Sequence, residues 1–293
     1  MCNIIEIMKI NKTINKQYYI IGSPIEHSLS PQIHNIMAKI TGRSIQYNLL
    51  ATTSDALGAT LNLMRKNTTV KGLSVTYPLK RQAYHYCDIL EKSAKDVGCI
   101  SNITFNKKRQ LIGCNLDGAG FFLDMQRKKV NITDKNILIL GAGATAASIV
   151  HTIISKNPQL ILIANRNFSN AQALLKKIRA RHPQITTKLG CVRLDSIEGK
   201  YNIVVNATSS SICNKNLPLN ASHFDQPDAI GYDVMYQPQG TNFNSWCTKN
   251  NIRSFNGIGM LVELSKIIFC RWNHIDDIGC IDSHFSNLLS NFP

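Results

Sequence analysis

In "GLSVTYPLKRQAY", residues 72–84, an apolar, β-prone run ends on the hydroxyl of Thr76, meets Pro78 and turns into a helical pattern that opens with Lys80. Proline forbids the next ladder hydrogen bond and suits the first turn of a helix, so Thr76 and Lys80 fall at a strand-to-helix corner. In open α/β sheets such corners hold ligands. Alone, the same stretch also reads as an ordinary helix start with a solvated lysine. A second corner stands in "NILILGAGATAASIV", residues 136–150, where Gly141, Gly143 and Ala146 form G-x-G-x-x-A between a strand and a helix. The first glycine permits a tight turn, the second clears the path of a pyrophosphate, and the small third residue lets helix pack on strand. The alternative is a packing turn without a ligand. The next strand ends about 20 residues on, at Asn165-Arg166-Asn167, where NAD sites usually place an acid for the ribose hydroxyl. Here the acid is missing and a guanidinium is present. That favours the 2′-phosphate of NADP over NAD, the alternative being a merely solvated arginine.

Sheets must stand behind both corners. Apolar runs alternate with helical patterns along most of the 293 residues, without internal repeats, and 44% apolar content suits a packed chain of one large or two ordinary domains. "YYIIG" (18–22), "SIQYNLL" (44–50) and "KGLSVT" (71–76) read as strands with helices between them. Ser30 followed by Pro31 predicts a helix start, a hydroxyl N-cap and then proline in the first turn, with the helix ending near Gly42. "CISNITF" and "QLIGCN" look like a hairpin around "NKKR". Beyond the glycine turn, "LILIAN", "NIVVNA" and "DAIGYDV" supply buried strands, with helical stretches around 169–181 and 242–250. This is the alternation of a doubly wound unit. After it, "GIGMLVELSKIIFCRW" (257–272) is apolar on nearly every side, which predicts a helix buried between domains and returning to the first.

The formal charge of +15 arises from 33 basic and 18 acidic residues, scattered apart from short clusters such as "RKK" (127–129) and "KKIRARH" (176–182). Without a long basic tract, nucleic acid is not the expected partner; a positive field suits phosphorylated cofactors and carboxylate substrates. No apolar run approaches the roughly 18–20 residues that span a bilayer, and the first 16 residues mix Lys, Asn and Glu among apolar positions, so neither a membrane span nor a signal peptide is expected. Nine cysteines, an odd number with no C-x-x-C pair, read as reduced thiols of a cytoplasmic protein. The eight histidines show no metal-ligand spacing, and no metal is expected.

With these pieces assembled, the chain resembles the shikimate dehydrogenase family from Tyr18 to Trp272. "GSPIEHSLSPQIHN" is similar to that family's G-x-P-x-x-H-S-x-S-P-x-x-H-N, "VTYPLK" to V-T-x-P-x-K and "GCNLDGAGF" to G-x-N-T-D-G-x-G. "NATSS" is similar to N-A-T-S, "YDVMY" to Y-D-x-x-Y and "GIGMLVE" to G-x-G-M-L-V. The resemblance implies an α/β protein with an N-terminal α/β substrate domain, a Rossmann-like dinucleotide-binding domain and a cleft between them. The expected division is an extension at 1–16, the substrate-binding catalytic domain at 17–118, the NADP domain at 119–255 and C-terminal helices at 256–293 that return to the first domain. The implied reaction is reversible hydride transfer from NADPH to 3-dehydroshikimate, giving shikimate on the route to chorismate and the aromatic amino acids, by a monomer or homodimer.

By the same resemblance Lys80 and Asp117 form the catalytic pair, a combination that suits proton transfer at an alcohol oxygen during hydride transfer. Ser28, Ser30, Thr76 and Tyr236 fall on substrate-binding positions. Gly141, Ala142, Gly143, Ala144, Thr145, Asn165, Arg166, Asn167, Asn206, Thr208, Val234 and Gly257 fall on the cofactor side, and His27 and His34 are read as structural. Some positions depart from the family. Ser101 stands in place of a substrate-binding asparagine, with Asn102 one place later, and Leu264 stands in place of a glutamine that reaches a substrate hydroxyl. Leu116 replaces a threonine, Ser74 an asparagine, and Asn170 a basic residue near the 2′-phosphate. Each missing hydrogen bond costs about 0.5–1.5 kcal/mol. These departures keep two rivals open: a quinate/shikimate dehydrogenase or relative with NAD or a less hydroxylated acid, and a non-catalytic NADP-binding homologue with a decayed pocket.

Overall fold

The computed structural model describes residues 16–211, 213, 215–237, 239–276, 279, 281 and 282. The chain first alternates β1 (Gln17–Gly22), α1 (Ser30–Ile40), β2 (Gln46–Ala51), α2 (Leu57–Lys66), β3 (Val70–Val75) and α3 (Lys80–Tyr84). It continues through β4 (Ile89–Leu90), α4 (Lys92–Val97), β5 (Asn102–Phe105) and β6 (Leu111–Cys114). These six strands form one sheet in the order β2-β1-β3-β5-β6-β4. β1 runs parallel to β2 and β3, while β5 is antiparallel to both β3 and β6, the expected hairpin.

α5 (Asp117–Arg127) leads into the second unit: β7 (Asn136–Leu140), α6 (Ala144–Ile153), β8 (Leu160–Asn165), α7 (Phe168–Arg181), β9 (Lys188–Arg193) and β10 (Ile203–Asn206). β11 (Ile230–Asp233), α8 (Asn242–Lys249), β12 (Arg253–Phe255) and α9 (Ile258–Asn273) are the last of the elements. The second sheet has the order β12-β11-β10-β7-β8-β9 and is parallel throughout. The connection therefore reverses direction between β7 and β10, the place where doubly wound sheets open a crevice.

Period-two alternation sends successive residues of each central strand to different cores. In β1, Tyr19 and Ile21 join Leu57, Leu61 and Leu73 beneath α2, whereas Tyr18 and Ile20 join Trp272 of α9. Tyr18 and Trp272 stack with ring centroids 4.6 Å apart. In β7, Ile137 and Ile139 face Ile149 and Val150 of α6, while Leu138 and Leu140 face Phe243 and Cys247 of α8. α9 also buries Val262 and Phe269 against Ile33 and Met37 of α1, so the C-terminal helix packs on the first sheet. Between the sheets α9 lies against α5, where a Cβ on Gly120 would stand 2.9 Å from Leu264 Cβ. Nearby Asp124 is fully buried and accepts from Arg127 at 2.6 Å, Lys128 at 2.8 Å and the Tyr232 hydroxyl at 2.7 Å. Among the described residues no helix is long and apolar enough to cross a membrane.

Candidate active site and cofactor crevice

The Thr76–Lys80 corner lies between the carboxyl ends of β1 and β3, where strand order also reverses. Thr76 N–H donates to Ile21 O at 3.0 Å and Ser23 N–H to Tyr77 O at 3.1 Å, which closes the two loops on each other. Leu79 N–H then donates to Thr76 O at 2.9 Å and α3 begins at Lys80. Lys80 Nζ donates to Asp117 Oδ2. The lysine side chain keeps 16% exposure and the carboxylate 1%, so Lys80 is the member of the pair that meets the cleft. Asp117 is the first residue of α5, at the positive end of the helix dipole, which favours a negative charge. Leu116 N–H donates to Ser101 Oγ at 2.9 Å, and Asp117 N–H to Asn115 Oδ1 at 3.2 Å. The Asn115 amide is anchored on Cys99, 3.3 Å from its carbonyl and 3.2 Å from its sulfur. Burial first, and then the charge of Asp117, pushes the Cys99 thiol up to about 11 and keeps it protonated at neutral pH.

Several residues expected to meet substrate are engaged within the fold. Asn102 is fully buried in β5, its amide donated to Leu73 O at 3.4 Å, so its expected substrate contact is replaced by a place inside the sheet. Ser101, 3% exposed, serves the start of α5. Ser30 is not the N-cap of α1: Leu29 holds that position, and Ser30 N–H donates to the Ser28 hydroxyl at 3.3 Å. Proline fixes the start of the helix, and the preceding serine takes up the free N–H. Ser28 and Leu29 in turn meet Tyr236, whose hydroxyl lies 3.5 Å from Leu29 N, and burial raises the phenol pKa. Residues 28 and 236 are thus brought together from opposite halves of the chain. Buried Tyr47, its phenol pKa raised by desolvation, donates to Ser74 Oγ at 2.9 Å and hydrogen-bonds Ser30. His34 is buried and His27 exposed. Leu116, immediately before Asp117, and Leu264 pack against one cluster that includes Tyr18, Ile20, Ile25, Tyr47 and Trp272, so two of the departures rest on the same apolar core.

On the cofactor side Gly141 adopts φ +107°, a left-handed conformation that favours glycine, and a Cβ there would lie 2.9 Å from Ala207 O. The turn therefore sits directly on the loop after β10. α6 starts at Ala144 with no side-chain cap, so the N–H groups of its first turn are left for an anion, and a Cβ on Gly143 would meet nothing within 4 Å. These features fit a dinucleotide pyrophosphate. Arg81 donates to Ala142 O at 3.3 Å, which brings the Lys80 helix against the glycine turn. At the tip of β8, Asn165 donates to Asn167 O at 2.8 Å and Asn167 caps α7 by accepting from Ser169 N–H at 3.1 Å; between them Arg166 is exposed.

Asn206 was expected to touch cofactor, but its side chain is fully buried. It donates to Ser211 at 3.1 Å and Asp233 at 3.2 Å and accepts from Thr208 N–H at 3.1 Å, so it builds the loop that carries Thr208. Val234 N–H donates to Asn206 O and Gly257 N–H to Met235 O, both at 3.0 Å, tying the end of β11 to the end of β10 and to the start of α9. Sequence reasoning missed Asp233 and Asn115 as builders of these loops. Both lie inside the motifs quoted above, Asp233 next to Tyr232 and Asn115 two residues before Asp117, which was the available signal.

Two family models match the chain, the shikimate dehydrogenase substrate binding domain over residues 20–103 and shikimate / quinate 5-dehydrogenase over residues 124–217. The chain is 32% identical over 263 residues to the shikimate dehydrogenase (NADP(+)) of Aeromonas salmonicida, covering 88% of this chain and 93% of that one. It is 31% identical over 264 residues to the protein of the same name from Psychromonas ingrahamii, with the same coverage. Among solved structures, a shikimate dehydrogenase in complex with NADP+ superimposes with a TM-score of 0.80 at 27% identity, over 94% of this chain and 96% of that one. A shikimate 5-dehydrogenase from Listeria monocytogenes, in complex with shikimate and NAD, shares the fold with a TM-score of 0.81 at 24% identity, over 96% and 99%. On this combination of matched models, relatives and shared architecture, the chain belongs to the shikimate dehydrogenase family.

Proposed function

We propose that the protein catalyses the NADP-dependent, reversible reduction of 3-dehydroshikimate to shikimate. The observation that carries this reading is the ion pair of Lys80 with buried Asp117, set beside the glycine turn by the Arg81 contact. Bound NADP supplies the hydride donor or acceptor. The first turn of α6 holds its pyrophosphate and Arg166 its 2′-phosphate. In the reductive direction Lys80 gives a proton from Nζ to the carbonyl oxygen as the C=O becomes an alcohol, and in the oxidative direction it takes the hydroxyl proton back. Asp117 holds Lys80 in place and balances its charge. Ser28, Ser30, Thr76 and Tyr236 receive the substrate carboxylate and hydroxyls. We assign 17–118 to the substrate domain, 119–255 to the NADP domain and α9 to the segment returning to the first; the extension expected at 1–16, apart from residue 16, and the end of the segment expected at 256–293 lie outside the described residues. We assign a cytoplasmic location, which suits buried thiols such as those of Cys99 and Cys114.

One observation favours a second reading. Leu116 and Leu264 share an apolar cluster at the site, which suits an acid with fewer hydroxyls than shikimate. The deciding experiment is NADPH formation with shikimate, run beside quinate, a deoxygenated shikimate analogue and an NAD control. Turnover of shikimate with NADP supports the primary reading, and preference for the analogue supports the second. No turnover of any of these acids overturns both.

A further inference from the structure

We propose that Ser148 is a positioning residue for Asp117, acting from within the cofactor-binding helix; this rests on the assignment of Lys80 and Asp117 as the catalytic pair. Ser148 is 2% exposed, one turn beyond the start of α6. Its hydroxyl accepts from Gly118 N–H at 2.7 Å and donates to Asn115 Oδ1 at 2.6 Å, and that same oxygen accepts from Asp117 N–H. With Ser101 on Leu116, three successive N–H groups at the start of α5 end on side chains from three different segments. A helix start normally leaves such groups without partners inside the helix. Here they fix the peptide planes on both sides of Asp117, and one of the three supports belongs to the helix whose first turn meets the cofactor. α5 lies directly on α6 at this point, since a Cβ on Gly118 would stand 2.3 Å from Ser148 O. Removing the Ser148 hydroxyl leaves Gly118 N–H buried and unpaired and releases one tether of Asn115. The direction of the Asp117 carboxylate toward Lys80 then loosens. Small misplacements of a catalytic group are costly in rate.

The test compares Ser148→Ala, Asp117→Asn and the double variant, with rates expressed per NADPH-binding site from a fluorescence titration, so that unfolded material does not count. Ser148→Ala should lower kcat about 5- to 30-fold while the NADPH dissociation constant stays within about 2-fold. In the Asp117→Asn background the same substitution should cost less than about 2-fold, because a residue that acts through Asp117 has nothing left to position. Unchanged kcat in Ser148→Ala, a full multiplicative loss in the double variant, or a parallel loss of NADPH affinity overturns the proposal. Wild-type turnover by Asp117→Asn removes the catalytic reading itself and the proposal with it. Impaired Asp117→Asn beside unimpaired Ser148→Ala removes only the role of Ser148.

Discussion

Acid should destabilise this protein through His34, and the size of the effect follows from its surroundings. The ring is 1% exposed, stacks on Tyr47 with centroids 4.2 Å apart, and among the described residues has no partner for Nδ1. Burial depresses its pKa from the usual 6.5 to about 3. The folded protein therefore holds the neutral ring where the unfolded chain has already taken up a proton, so stability is intact above pH 6.5 and falls as the pH drops toward 3. At pH 5 the difference in proton binding amounts to about 2 kcal/mol relative to pH 8. His34→Phe keeps an aromatic stack on Tyr47 and removes the titration. Urea denaturation of both proteins at pH 8 and pH 5 isolates the effect, because any packing cost of phenylalanine is present at both pH values and cancels. The variant should lose about 2 kcal/mol less than the wild type on acidification. Parallel losses in the two proteins would refute the reasoning and mean that the buried ring is not the group that resists protonation.

Three further outcomes are expected at the active site. Lys80→Ala should lower kcat by roughly 10²-fold or more while NADP affinity, set in the other half of the molecule, is nearly kept; steady-state kinetics with a binding titration checks both. Arg166→Ala should weaken NADP by about 1.5–3 kcal/mol with little change for NAD, as measured by dissociation constants for each, and equal weakening would count against phosphate recognition. Leu264→Gln should raise kcat/KM on shikimate by a factor of about 2 to 10 if the amide pairs with a ring hydroxyl. If Leu116 and Leu264 instead line a pocket for a less polar acid, the same change buries an unpaired amide and lowers activity on a deoxygenated analogue.

Long apolar runs were legible because burial on both faces leaves a continuous signature, as in β1 and β7. β9, "KLGCVR", carries no such run. It is an edge strand, half-exposed along its length, and pairing with β8 defines it more than its own residues do. β4 and β12, with two and three residues, are too short for any periodicity. α5 opens Asp-Gly-Ala-Gly, a poor helix start by propensity, and its first turn depends on Ser101, Asn115 and Ser148, which no local pattern joins. The glycine turn and the Lys80 corner were readable because each is a local strand-turn-helix device. Whether Asn102 faces ligand or sheet, and whether Ser28 or Ser30 serves the helix, depends on long-range packing, and there the linear reading went astray.

The stacking of Trp272 on Tyr18 also sets an order of events as the chain is made. Synthesis runs from the amino terminus, and domains ordinarily fold as they emerge. Here the first sheet is translated early, yet the face that carries Tyr18 and Ile20 lacks its α9 cover until residue 272 has been added. The second sheet has all its strands by residue 255. The half of the protein made first is therefore sealed last, and its apolar face stays open throughout most of translation.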